Sequence, residues 1–385
     1  MEPSGALPRL VRQIADLGSG QVASAGGKAA SLGELVRAGL RVPGGYVVTA
    51  EAFGHALATI DPDGSLRRRV ERLQADDIDA IRRAAADVRA RITGAPLPPE
   101  VVAEISAAHA ALAADADAEA EAEADTVAVA EADTVAVAVR SSATGEDSPE
   151  ASFAGLQDTY LAIRGIEVVL DRVRSCWASL YNDESVAYRR RMGVPEHGLA
   201  MAVVVQRMLS PRAAGVMFTR SPVSGDRSVV AIEGTWGLGS ALVAGEVTPD
   251  SFTVSKVTGE ITGRRVGTKL RLHTFLPNEP GISARATPPG LRGRPCLTDD
   301  EARTLALVAR RVEEHFGAPQ DIEWALLGDD PACPPLHGET ADRIVLLQSR
   351  PETVWAARDR APVASPKARA SDHILSRLGK PLRWT

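Results

Sequence analysis

From Arg140 onward the chain alternates glycine-bearing turns with short β-branched runs, and this alternation commits its second half to sheet. Residues 201–206, 215–219 and 229–233 read as buried strands, and 321–327 and 344–350 as a further pair. One long helix interrupts them over 299–316, with Thr298 as N-cap and Glu301 three residues on, a capping box. The first half is more helical. A helix follows Gly26-Gly27-Lys28, with Leu32, Leu35 and Val36 at helical spacing and Gly39 placed to end it. A strand over 46–49 comes next, and the Arg- and Ala-rich segments 64–92 and 98–114 read as helical. The coarse fold class is mixed α/β with largely antiparallel pairing.

Between 115 and 138 lies an acidic low-complexity stretch in which Glu123–Ala130 is repeated as Glu131–Ala138. One exact duplication is too little for a solenoid. A tolerant surface loop is expected, with its second copy leading into the strand that carries Arg140. At 385 residues the chain has room for two or three lobes. Its 44% hydrophobic and 4% aromatic content calls for cores of Ala, Val, Leu and Ile. A net charge of −6 gives no reason to expect nucleic acid as a partner. No apolar run approaches the roughly 18 residues that cross a bilayer, and the N-terminus lacks a signal peptide's apolar core. A cytoplasmic protein is therefore expected. Cys176, Cys296 and Cys333 suggest neither a disulfide framework nor a zinc site. Only five of the 44 basic residues are lysines, and one of them, Lys28, sits in a glycine-rich turn.

The two C-terminal strands carry the first candidates. With a period of two, Asp321, Glu323, Ala325 and Leu327 share a face, as do Ile344, Leu346, Gln348 and Arg350. Glu and Gln oxygens are hard donors suited to Mg²⁺, and Arg350 offers a fork for a phosphate. A surface ion pair between Glu323 and Arg350 is the competing reading. Gly26-Gly27 permits close backbone approach to an anion ahead of a helix start. The turn is not a Walker A loop, since Val22 and Ala29 occupy positions that motif reserves for Gly and Ser or Thr; a plain helix-capping turn is the alternative. Arg140 is followed by hydroxyl-bearing residues and by the segment 152–160, a glycine hairpin able to cover a triphosphate or to be an ordinary polar loop.

The segments GGKAASLGELVRAGLRVPGGYVVTAEAF, VRSSATGEDSPEASFAGLQDTYL, VVVQRML, AGVMFTRSP, GTWGLGSALVAGEVTPDSF, QDIEWAL and LLQSRPETV follow one another in this order. Together they resemble the nucleotide-binding region of the phosphoenolpyruvate synthase, pyruvate phosphate dikinase and rifampicin phosphotransferase group, over roughly residues 10–355. The resemblance implies an ATP-grasp-like fold that clamps ATP and Mg²⁺ between two lobes, 1–200 and 201–355, followed by a basic Pro-rich tail over 356–385. It implies that Lys28 and Arg140 contact the phosphates, that Gly155, Gln157 and Thr159 form the covering loop, and that Gln206 lies beside the adenine. It also implies that Glu323 and Gln348 bind Mg²⁺ and that Arg350 makes a further phosphate contact. Glu233, Lys269 and Asp321 are secondary candidates for the same site, with structural roles as the alternative.

In the group, a histidine on a separate swivelling domain takes the phosphoryl group from ATP, within a Thr-Ser-His motif. None of the seven histidines here (His55, His109, His197, His273, His315, His337 and His373) has that setting. A phosphoryl donor working on a separate swivelling-domain protein is therefore expected, like the ATP-binding subunit of phenylphosphate synthase. A non-catalytic nucleotide-binding module and a fragment of a longer enzyme are the other readings. The tail carries seven Lys or Arg against two Asp, which suits either docking of the carrier or a linker.

Overall fold

The computed structural model describes residues 9–123, 135–144, 147–148, 151–152, 158–275, 281–328 and 340–355. Every ladder in its two principal sheets is antiparallel. The strands, in chain order, are β1 (Val11–Gln13), β2 (Gly45–Val48), β3 (Val137–Ala143), β4 (Asp147–Ser148), β5 (Ala151–Ser152), β6 (Thr159–Ile163) and β7 (Met201–Arg207). They continue with β8 (Ala213–Phe218), β9 (Val229–Trp236), β10 (Asp250–Ser255), β11 (Ile261–Arg265), β12 (Arg271–Thr274), β13 (Ser283–Ala286), β14 (Gln320–Leu326) and β15 (Ile344–Pro351). The first sheet has the order β1-β2-β7-β3-β6 and the second β11-β10-β9-β8-β14-β15, while β4–β5 and β12–β13 are separate hairpins. This is the mixed, largely antiparallel α/β architecture that the sequence pattern predicts. Strand β7, which begins at residue 201, pairs into the first sheet between β2 and β3.

Helix α1 (Val22–Arg37) precedes β2, and α2 (Ala50–Ile60), α3 (Ser65–Glu71), α4 (Ile78–Gly94) and α5 (Pro99–Glu123) fill the interval before β3. After β6 come α6 (Ile166–Ser179) and α7 (Asp183–Met192), and α8 (Ser240–Val243), α9 (Pro289–Arg292) and α10 (Asp299–Phe316) belong to the second half. Helix α5 runs through 115–123, which the sequence reading takes as loop. The Ala/Glu alternation there has strong helix propensity and simply extends the preceding helix. Residues 124–134 lie outside the described part, and only Val137 and Ala138 of the second repeat copy enter β3. The tail 356–385 also lies outside it.

Strand alternation distributes the apolar side chains between two cores. Tyr46, Val48, Val137, Val139, Val203 and Val205 face α2, α4, α5 and α6 in the first. The opposite face of the same sheet, through Val47, Ala202 and Val204, meets Ala25, Ala29, Leu32 and Leu35 of α1. That second core continues through Met217, Ile232, Phe252, Ile322, Trp324 and Leu346 of the second sheet to Leu305, Ala309 and Val312 of α10. Helix α1 is thus shared, and Ser31 donates to the carbonyl of Ser349 at 2.6 Å. The predicted capping box of α10 is present, and Glu301 also forms ion pairs with Arg212 at 2.8 Å and Arg343 at 3.2 Å.

The head of α1 is set by one glycine. Gly26 has φ 75° and ψ 166°, a break inside the helical run, so the regular turn starts at Gly27-Lys28. The Ser142 hydroxyl donates to the carbonyl of Ala25 at 2.9 Å and accepts from the N–H of Ala29 at 3.2 Å. A Cβ at Gly26 would stand 2.2 Å from the Ser142 carbonyl oxygen. Gly39 ends the helix at φ 68°, with nothing near its missing Cβ. Gly26→Ala is therefore expected to cost about 3 kcal/mol, from a glycine-only conformation plus a backbone clash. Gly39→Ala should cost about 1 kcal/mol. Urea denaturation of the two variants checks this, and equal losses would contradict it.

Candidate functional site

A cleft of about 600 Å³ opens between the two sheets. Lys28, Arg140, Thr159 and Gln206 line it from the α1 and first-sheet side; Asp321, Glu323, Gln348 and Arg350 line it from β14 and β15. Met208, Leu209, Pro211, Leu238 and Val243 give it an apolar end. Every described member of the sequence-based set therefore comes to one cleft; Gly155 and Gln157 lie outside the described residues. Among the secondary candidates, Asp321 joins the cleft and Glu233 is not part of its lining. Lys269 is fully buried elsewhere, paired with Asp250 and donating to the Gly267 carbonyl at 2.8 Å. Asp250 also accepts from the backbone N–H of Gly267 and Cys296 at 2.8 and 2.6 Å. The pair ties the start of β10 to the segment after β11 and to the one before α10, with its polar atoms satisfied there.

Period-two geometry places the cations. Arg140 and Ser142 share a face of β3, so the hydroxyl that seats α1 and the guanidinium that enters the cleft point the same way. Lys28 follows the seated turn, and its Nζ donates to the carbonyl of Ser141 at 3.0 Å. Arg140 reaches across the cleft to the second sheet. It donates to Glu323 Oε2 at 2.8 Å and to the Leu347 carbonyl at 3.2 Å. Gln206, almost fully buried, donates to the Pro43 carbonyl at 3.2 Å, just before the chain passes from β7 to β8.

On the second sheet Glu323 stands opposite Gln348, and Asp321 opposite Arg350. A bulge after Glu323 sets Trp324 opposite Leu346, so Leu347 and Gln348 both face the cleft. Ile344 and Leu346 consequently turn into the core with Trp324, away from the face that strict alternation assigns them. The Glu323–Arg350 surface pair, weighed from sequence, is replaced by Arg140–Glu323 and by Arg350–Asp321 at 3.4 Å.

Asp321 is incompletely satisfied. Its Oδ1 is buried without a hydrogen-bond partner. Burial pushes its carboxyl above the ordinary carboxylate range and the neighbouring Glu352 adds to this, while the Arg350 guanidinium opposes both. An orphaned carboxylate oxygen beside a second carboxylate and an amide oxygen is a donor set that fits a hard divalent cation. Among the described residues, no cluster of three His, Cys, Asp or Glu forms a self-sufficient metal cage.

Cations from both walls, hard oxygen donors from β14 and β15 and an apolar end share this cleft. Residues 22–371 match the family described as the pyruvate phosphate dikinase AMP/ATP-binding domain, and the chain belongs to it. It is 42% identical over 349 residues to a rifampicin phosphotransferase of a Streptomyces species, covering 90% of this chain and 36% of that protein. It is 39% identical over 352 residues to a probable phosphoenolpyruvate synthase of Methanothermobacter thermautotrophicus, covering 91% and 47%. A rifampicin phosphotransferase of Bacillus subtilis is 34% identical over 345 residues, covering 89% and 36%. The chain thus spans less than half the length of these relatives. No helix among the described residues is long and apolar enough to cross a membrane.

The two ion pairs differ in exposure: Arg140 and Glu323 are 18% and 28% exposed, whereas Arg350 is 45% exposed. A double-mutant cycle on Arg140→Ala and Glu323→Ala without nucleotide should return about 1–2 kcal/mol of favourable coupling. The cycle on Arg350→Ala and Asp321→Asn should return less than about 0.5 kcal/mol. Chemical denaturation supplies both figures, and the reverse ranking would remove Arg140 as the bridge between the sheets.

Proposed function

We propose that the chain is the ATP-binding, phosphoryl-donating part of a dikinase-type phosphotransferase with an ATP-grasp-like fold. It moves the β-phosphoryl of ATP to a histidine on a separate swivelling-domain protein, with release of AMP and phosphate, in the cytoplasm. The observation that carries this reading is that one cleft brings Lys28 and Arg140, from one side, together with Glu323 and Gln348 on the other, with Arg140 bonded to Glu323 across it. Phosphoryl transfer asks little covalent chemistry of the donor protein; it needs charge neutralisation, alignment and exclusion of water.

In this reading Lys28 and Arg140 neutralise phosphate oxygens, and Arg350 adds a planar fork for another. Glu323 and Gln348 hold Mg²⁺, with the unpartnered Oδ1 of Asp321 available beside them. Bound there, the ion neutralises phosphate charge and draws electron density from the transferring group. The apolar end near Gln206 takes the adenine, and Gly155, Gln157 and Thr159 cover the phosphates. The family membership and the greater length of the relatives support a carrier outside this chain's matched region.

ATP labelled at the β-phosphate, incubated with Mg²⁺, this chain and a swivelling-domain protein bearing the Thr-Ser-His motif, tests the reading. Acid-labile, base-stable label on the carrier is expected, together with AMP. Label retained in ADP, or tight ATP binding with no AMP in any mixture, would favour a nucleotide-binding module without transfer. Lys28→Ala and Arg140→Ala should each slow transfer about 100-fold or more, as loss of one preorganised charge does. Glu323→Ala and Gln348→Ala should raise the Mg²⁺ concentration needed for half-maximal rate. Unchanged turnover in all four variants would remove the site assignment.

A further inference from the structure

One polar constellation in the cleft wall has no part in the phosphate chemistry. Ser240 lines the cleft beside Leu238 and Val243. Its Oγ is 2.9 Å from Nδ1 of His273, and Nε2 of His273 is 3.4 Å from Oε2 of Glu246, which also meets Arg271 at 3.7 Å. The backbone fixes the histidine as well: the Leu238 N–H donates to the His273 carbonyl at 2.8 Å. Gly237, at φ 70°, allows the close approach, since a Cβ there would stand 2.3 Å from that oxygen.

The position of this group along the cleft is defined by β8. Gly239 lies beside Ala214 and Gly215, and Val216, two residues on from Ala214, pairs with Glu323. Two strand residues span about 7 Å. The apolar residues Met208, Leu209 and Pro211 precede β8 at its other end. Ser240 therefore stands at the inner edge of the apolar end, about two strand residues from the position opposite Glu323, where a nucleotide with its base in that end has its sugar.

We propose that Ser240 reads a sugar hydroxyl of the bound nucleotide, with His273 and Glu246 as its positioning residues; the inference rests on the ATP site proposed above. The Glu246 carboxylate, 3.4 Å from Nε2, favours the tautomer with its proton there, in which Nδ1 accepts from the Ser240 hydroxyl. The serine lone pairs are then left for a donor in the cleft. A sugar hydroxyl can donate; a phosphate oxygen cannot.

Dissociation constants for ATP, 2′-deoxy-ATP, 3′-deoxy-ATP and ITP, measured by calorimetry, test this. Wild type should bind ATP about fivefold to tenfold more tightly than at least one deoxy form, the scale of one neutral hydrogen bond. In Ser240→Ala the gap should close to within about twofold through weaker ATP binding, with the deoxy form unchanged. His273→Ala should also close it, while His273→Asn, whose amide oxygen can replace Nδ1 as acceptor, should keep part of it. A merely structural histidine would weaken all four nucleotides alike. Equal binding of ATP and both deoxy forms by wild type, or a gap that survives in Ser240→Ala, would overturn the proposal. So would a Ser240→Ala effect confined to ATP against ITP, which would assign the serine to the base. ATP binding without a sugar effect defeats this inference alone, whereas binding of none of the four defeats the nucleotide site itself.

Discussion

The hydroxyl of Ser142 holds the head of helix α1 against strand β3, and the cleft is built outward from that contact. One side chain accepts the Ala29 N–H and donates to the Ala25 carbonyl, closing the turn that Gly26 opens. Because β-strand side chains alternate, the residue two positions earlier on the same face, Arg140, is aimed into the space that the helix borders. Lys28 then projects from the first regular turn. A small buried hydroxyl and a glycine-only backbone thus fix two cations without any aromatic or metal scaffold, which suits a chain with so few aromatic residues.

Without ligand the site pairs both of its carboxylates with arginines. Arg140 neutralises Glu323 across the cleft, which draws the two walls together, and Arg350 partly neutralises Asp321 within the second wall. In the proposed reading, phosphate and Mg²⁺ would divide these partners between them: the cations to the phosphates, the oxygens to the metal. The exchange weakens net binding by the strength of the pairs it breaks, and it keeps the empty walls from repelling one another. Lys269 and Asp250 contrast with this. Their charges are satisfied by backbone groups of Gly267 and Cys296, and they face no cleft.

Much of this was legible in the sequence because period two is a strict rule. It set Asp321 with Glu323 and Gln348 with Arg350 on the cleft side, and the register agrees. What the rule missed was the bulge after Glu323, a one-residue shift that leaves no mark in composition and sends Ile344 and Leu346 to the core. The helix over 115–123 was hidden by low complexity, although its Ala/Glu content favours helix. Ser240, Glu246 and His273 escaped notice because no local pattern joins them; a tight Gly237 turn against β12 brings them together. The roles of the cleft residues came from the ordered motifs, since a lone Gly-Gly-Lys or a strand-face Glu would not distinguish a nucleotide site from a capped helix or a surface pair.

The shared helix also bears on how such a chain comes into being. Helix α1 lies within the first 40 residues, yet it packs against β15, and the Ser31–Ser349 hydrogen bond joins positions 318 residues apart. During synthesis, therefore, the segment bearing Lys28 is made early and finds its complete seat only after β15 leaves the ribosome. The first sheet's own helical core can form before then. The cleft is among the last features to assemble, so a chain interrupted before residue 344 would hold Lys28 on a helix facing a wall without Gln348 and Arg350.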